Sequence, residues 1–128
     1  MKPEVLEQIQ ELLNELEEYA ARGVLILVEG PRDEEALREL GISGEILCVS
    51  GTRKTILNFL EGLVAHEQVV ILTDFDQAGD ELAKFCSTHL KRLGPEPIVE
   101  VREKLKALLH KDVKDIQGLA KFLRGKMS

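Results

Sequence analysis

Four short apolar runs separated by stretches of helix length are the feature that most narrows what this chain can fold into. Val24-Leu25-Ile26-Leu27-Val28 is apolar throughout and is confined between Gly23 and Gly30, which leaves no room for a helix. A run with no polar alternation reads as a strand buried on both faces. The pattern recurs at Glu45-Ile46-Leu47-Cys48-Val49, at Val69-Val70-Ile71-Leu72 and at Ile98-Val99-Glu100-Val101. Between these runs, residues 32–40, 53–65 and 77–92 read as helices. Strands alternating with helices imply a parallel sheet joined by right-handed crossovers, hence an α/β fold of the three-layer α/β/α kind. Pro95 and Pro97 lie just before the last strand and suit a sheet edge, because proline cannot donate to a central ladder.

The ends of the chain are helical in pattern. Val5, Ile9, Leu12, Leu16 and Tyr19 form an apolar stripe over residues 3–21, closed by Gly23. Covering one side of the sheet is the expected role of that stripe, and a homodimer contact is the alternative, since the spacing is also heptad-like. Residues 102–109 and 112–124 read as two further helices, with Val113, Ile116, Ala120 and Leu123 on one side of the second. The chain has 128 residues and neither linker nor repeat, so the expectation is a single domain over 1–128 with its core in 23–101.

Charge and cysteine content exclude some classes of function. A formal charge of −6 argues against tight non-specific binding of nucleic acid, which draws its affinity from a basic surface. It leaves acid-dependent chemistry open. No apolar run nears the roughly 18 residues of a membrane span, and the start Met1-Lys2-Pro3-Glu4-Val5 has no signal-peptide character, so a cytoplasmic protein without membrane association is expected. Cys48 and Cys86 have no Cys-x-x-Cys spacing and read as small buried hydrophobes. His66, His89 and His110 share no ligand spacing and are assigned no role.

The candidate chemistry lies where the strands end. In a parallel α/β sheet, ligands bind beyond the carboxyl ends of the strands. The first strand runs into Glu29-Gly30 and the third into Thr73-Asp74-Phe75-Asp76. Asp74 and Asp76 are two apart, so an extended chain points both to one side. They converge with Glu29 if the first and third strands are neighbours. Two carboxylates about 5 Å apart repel by roughly 3 kcal/mol at an effective dielectric near 20. Mg²⁺ offsets that repulsion, since it takes a few carboxylate oxygens and keeps other positions for water and phosphate. Any one of these acids alone is better explained by its place at a strand end or helix start, where the macrodipole favours it. The three together point to a metal site.

Leu27-Val28-Glu29-Gly30-Pro31-Arg32-Asp33 resembles the Glu-Gly-x-x-Asp motif of the Toprim superfamily, and Leu72-Thr73-Asp74-Phe75-Asp76-Gln77-Ala78-Gly79 resembles its Asp-x-Asp-x-x-Gly motif. The superfamily includes bacterial-type primases, topoisomerases, recombination proteins and ribosomal-RNA maturation nucleases. This chain is most similar to small stand-alone Toprim proteins. The resemblance implies a four-stranded parallel sheet of order 2-1-3-4. It also implies Mg²⁺, with Mn²⁺ as the alternative ion, held by Asp74 and Asp76, and Glu29 as general acid/base or ligand. No segment resembles the accessory parts of a primase or the tyrosine-bearing domain of a topoisomerase, so independent activity of either kind is not expected. The implied function is phosphodiester chemistry on RNA or DNA, as nuclease-type cleavage or nucleotidyl transfer, with a partner protein expected. The alternative is a non-catalytic Toprim scaffold, or a metal-dependent nucleic-acid-binding module acting with a partner.

Several residues carry a second tier of expectation. Asp33 completes the first motif and is a candidate for association with the metal, and equally it sits in the first turn of a helix, where acids are stabilising without further function. Asp80 follows Gly79 at a helix start, and the same explanation is preferred there. Gly30 and Gly79 allow close approach of backbone to a ligand or serve a turn. In Ser50-Gly51-Thr52-Arg53-Lys54 the hydroxyls suit a helix cap. Arg53 and Lys54 fall in the first helical turn, where cations are disfavoured, so Gly51, Arg53 and Lys54 are candidate phosphate contacts, with an ordinary solvated surface as the equal alternative for the two cations. Lys111, Lys114, Lys121, Arg124 and Lys126 read as a solvated helical face in preference to an RNA-contacting surface.

Overall fold

The computed structural model describes residues 2–109, 111 and 113–127, with only the backbone at 126 and 127; His110 and the Lys126 side chain fall outside it. Among the described residues, ten elements follow in order: α1 (Pro3–Ala21), β1 (Leu25–Val28), α2 (Pro31–Glu39), β2 (Ile46–Cys48), α3 (Arg53–Glu61), β3 (Gln68–Ile71), α4 (Gln77–Leu93), β4 (Glu96–Ile98), α5 (Glu100–Leu108) and α6 (Ile116–Met127). The four strands form one sheet ordered β2-β1-β3-β4. Every pairing is parallel, with Ile26 opposite Ile46 on one side and Val70 on the other, and Val70 opposite Ile98. The all-parallel sheet and its 2-1-3-4 order are those implied by the motifs.

Strand alternation separates the core into two layers. Ile26, Val28, Val70, Leu72 and Ile98 face a cluster completed by α1, α2, α5 and α6. Leu25, Leu27, Val69 and Ile71 face a second cluster built from α3 and α4. All four residues of β1 are buried, which is why the sequence shows no polar alternation there. The α1 stripe packs into the first layer through Ile9, Leu12, Leu13, Leu16 and Ala20, so its apolar face is used within the chain. Among the described residues, no helix is long and apolar enough to cross a membrane.

Several boundaries differ from the sequence pattern, among them the end of α3, at Glu61 in place of 65. The last strand is Glu96–Ile98 in place of 98–101, and Pro97 lies within it opposite Val69. An edge strand has one side free, so the donor that proline lacks costs no ladder bond there. Val101, expected in that strand, belongs to α5 and is buried in the first layer. Glu100 and Glu103 stand in the first turn of α5, where acids complement the exposed N–H groups. The last helix begins at Ile116 in place of 112, with Asp115 just ahead of it accepting from Gly118 N–H at 2.6 Å. That contact satisfies one of the unpaired amides of a helix start and sets the boundary.

Candidate metal centre at the carboxyl end of the sheet

Parallel pairing brings the exits of β1 and β3 together. The ladder continues past β3, with Leu72 N–H donating to Leu27 O at 2.8 Å. The chains then diverge, and Glu29 reaches across so that its Oε1 accepts from the Asp74 backbone N–H at 3.0 Å. Glu29 therefore holds the loop that carries Asp74. Asp33 stands in the first turn of α2, which starts with Pro31 after Gly30. It is 8% exposed.

After Asp74 the loop is fixed from beneath. Phe75 enters the first core layer. Asp76 is exposed and caps α4, its Oδ1 accepting from Gly79 N–H at 2.7 Å. Thr73 is wholly buried and donates through Oγ1 to Gly79 O at 2.7 Å. Gly79 lies so close to the loop that a Cβ added to it would sit 1.8 Å from Asp74 O. The helix carries no left-handed residue there, so glycine serves a close backbone approach.

A second support comes from α5. Arg102, 4% exposed, donates through Nε to Thr73 O at 3.2 Å, and through Nη2 to Asp74 O and to Asp80 Oδ1. Asp80 is also paired with Lys106. Its carboxyl pKa is lowered, first by the Lys106 contact and then by Arg102. Asp80 thus anchors a cation that grips the carbonyls of the Asp74 loop.

The third contributor lies far along the chain. Phe75 N–H donates to Lys114 O at 2.6 Å, which lays residues 114 and 115 beside the Asp74 loop. Carboxylate oxygens of Asp33, Asp74 and Asp115 then fall within 4.8 Å of one another. Burial, followed by the charges of Glu29, Asp33, Asp115 and Asp76, pushes Asp74 up to about 7. Burial also raises Asp33, opposed by the Gln117 backbone N–H at 3.4 Å and reinforced by Asp115.

This donor set fits a hard divalent cation. Carboxylate oxygens that close can share one ion at about 2.0–2.6 Å each, and the ion removes the repulsion that otherwise favours protonation of Asp74. Asp74 is common to this trio and to the set expected from the motifs. Glu29 and Asp76 stand beside it, one bonded to its backbone and the other at the α4 cap. Gly51, Arg53 and Lys54 lie past the exit of β2, the neighbour of β1, so they share the same end of the sheet. Thr52 caps α3 by accepting from Thr55 N–H at 3.3 Å, and Arg53 and Lys54 are exposed. The Arg53 guanidinium lies 5.9 Å from the Phe85 ring centroid.

The Toprim domain family model matches residues 24–109. The chain belongs to the Toprim family. Toprim domains bind divalent metals, in keeping with the acidic trio at the sheet end. The chain is 41% identical over 119 residues to a UPF0292 protein of Methanosarcina barkeri, covering 92% of this chain and 82% of that one. A UPF0292 protein of Pyrococcus furiosus is 40% identical over 119 residues, 93% of this chain and 86% of its own. Among solved structures, a putative protein from Aquifex aeolicus superposes with a TM-score of 0.68 at 28% identity, covering 84% of this chain and 94% of the other.

Two residues at or beside the acidic trio had no role in the sequence pattern. Asp115 lies beyond the segment matched by the family model. Its only local signal is that of a helix-capping acid three residues before Gly118, which says nothing of where that helix docks. Arg102 looks like any charged helical residue, and only its burial beneath the Asp74 loop reveals its part.

Proposed function

We propose that this Toprim domain performs Mg²⁺-dependent phosphodiester chemistry on nucleic acid, as nuclease-type cleavage or nucleotidyl transfer. The observation that carries the reading is the convergence of Asp74 with other carboxylates at the carboxyl ends of adjacent parallel strands, within 4.8 Å of Asp33 and Asp115. A divalent ion bound there would neutralise charge on the scissile phosphate and lower the pKa of an attacking water. Asp74 is the residue on which binding centres, because it lies amid all the other acids. Glu29 is the proton-moving group: Oε1 is anchored on the Asp74 amide, which orients the carboxylate toward the same space. Arg102 keeps the loop rigid by drawing the Thr73 and Asp74 carbonyls inward. Arg53 and Lys54, exposed at the start of α3, receive phosphates flanking the scissile one.

The test is incubation of purified protein with structured RNA and with single-stranded DNA, each with Mg²⁺ or Mn²⁺, beside calorimetric metal titration. Cleavage or transfer that Asp74→Asn abolishes supports the reading. Glu29→Gln is expected to lose turnover while keeping most metal affinity. Metal binding without turnover on either nucleic acid would sink the enzyme and leave a metal-dependent module that presents nucleic acid to a partner protein. The formal charge of −6 is the observation that favours this second reading, because such a domain would draw little affinity from its own surface.

A further inference from the structure

The acidic centre takes a carboxylate from an element that the motifs do not include. Asp115 precedes α6, and its Oδ1 accepts from Gly118 N–H at 2.6 Å, so one oxygen caps the helix that the residue introduces. The same side chain has an oxygen within 4.8 Å of oxygens from Asp33 and Asp74. Two hydrogen bonds set it there: Phe75 N–H to Lys114 O at 2.6 Å, and Gln117 N–H to the side-chain Oδ1 of Asp33 at 3.4 Å. Behind this front end, α6 is seated by apolar packing. Ile116, Leu119, Ala120 and Leu123 are buried in the first core layer, and Arg124 pairs with Glu39 of α2 at 3.0 Å.

The two ends of that docking pull in opposite directions when no cation is bound. Apolar burial draws α6 onto α2, whereas bringing Asp115 up to Asp33 and Asp74 sets three carboxylates within 4.8 Å of one another in a partly buried place. A cation shared by the three reverses the sign of the second contribution. Whatever binds only when α6 is docked must also favour the docked arrangement, by linkage.

We propose that Asp115 is a ligand of the Toprim metal and that α6 is in consequence a metal-dependent clamp: binding of the divalent ion tightens the C-terminal helix onto α2, and docking of that helix completes the site. The proposal rests on the metal reading above. It adds a ligand from outside residues 24–109 and couples site occupancy to the order of the C-terminal segment. The site is therefore assembled from three exits of the fold, after β1, after β3 and before α6.

The experiment uses the whole chain and Mn²⁺ as the probe. Amide hydrogen exchange is measured with and without saturating Mn²⁺, with α3 on the opposite face of the sheet as internal reference. Exchange across α6 is expected to slow by about tenfold or more on Mn²⁺ addition, while α3 changes little. Asp115→Asn removes the charge and keeps a good helix cap. This variant is expected to bind Mn²⁺ about tenfold or more weakly by calorimetry and to lose the slowing in α6. Wild-type Mn²⁺ affinity in Asp115→Asn overturns the proposal and leaves the metal reading standing. Failure of the wild-type chain to bind Mn²⁺ removes both. The exchange measurement on the wild-type chain needs no variant, so indifference of α6 to bound Mn²⁺ would overturn the clamp even if Asp115→Asn failed to fold.

Discussion

Gly79→Ala tests whether the Asp74 loop is positioned by backbone contact with α4. Alanine is the better helix former, so helix propensity alone predicts stabilisation by about 1 kcal/mol. The fold predicts the reverse. A Cβ at position 79 would stand 1.8 Å from Asp74 O, 2.5 Å from its carbonyl carbon and 3.0 Å from its Cα. The shortest of these falls short of ordinary contact by about 1.5 Å or more, and backbone atoms cannot rotate away as a side chain can. Relief requires the first turn of α4 to draw back, which stretches the bonds from Thr73 Oγ1 to Gly79 O and from Gly79 N–H to Asp76 Oδ1, each 2.7 Å. Overpacking costs about 1–3 kcal/mol. Two weakened hydrogen bonds add about 1 kcal/mol each, one of them leaving a buried hydroxyl unpaired. With the propensity gain set against these, the net loss is about 2–4 kcal/mol. In urea unfolding that corresponds to a midpoint lowered by about 1–2 M at unchanged slope. Mn²⁺ affinity should fall in parallel, because the displaced atoms belong to Asp74 itself. Gly125→Ala is the control, since nothing lies within 4 Å of a Cβ there, and it should be neutral or slightly stabilising. A Gly79→Ala chain as stable as the parent would refute the close-approach argument.

Further outcomes follow from the same contacts. Burial and the neighbouring acids push Asp74 up to about 7 from an ordinary carboxylate value of 3.8, so between those values the metal-free folded state holds more protons than the unfolded one. Stability without metal should therefore fall as pH rises through that window, and Asp74→Asn should flatten the fall in a pH series of thermal unfolding. Arg102→Met leaves the buried Thr73 carbonyl without its donor and should cost about 3 kcal/mol in denaturant unfolding, with Lys a poor rescue because it lacks the planar fork. Replacing Arg53 and Lys54 together by alanine should leave Mn²⁺ affinity intact and lower the salt slope of nucleic-acid binding by about one to two; an unchanged slope would return both to the solvated surface.

The sequence by itself determined the α/β class and the parallel sheet. Unbroken apolar runs such as Leu25–Val28 and helix-length intervals are local properties, and they admit few arrangements. The order β2-β1-β3-β4 was legible through the Glu-Gly-x-x-Asp and Asp-x-Asp-x-x-Gly motifs. The tertiary structure decided which acids meet. Glu29, Asp74 and Asp76 are marked by spacing along the chain. The approach of Asp33 and Asp115 to Asp74 depends on how α2 and α6 pack on one face of the sheet, and Asp115 follows Asp74 by 41 positions. Docking of that kind is set by buried side chains such as Leu119 and Leu123 and by the Phe75–Lys114 bond, none of which announces its partner. Arg102 is the same case: a charged residue on a helix is a surface residue by pattern, and only packing of α5 beneath the Asp74 loop buries it. Periodicity reports which face of an element is apolar, but not which elements share that face, and the acidic centre is built from that second kind of information.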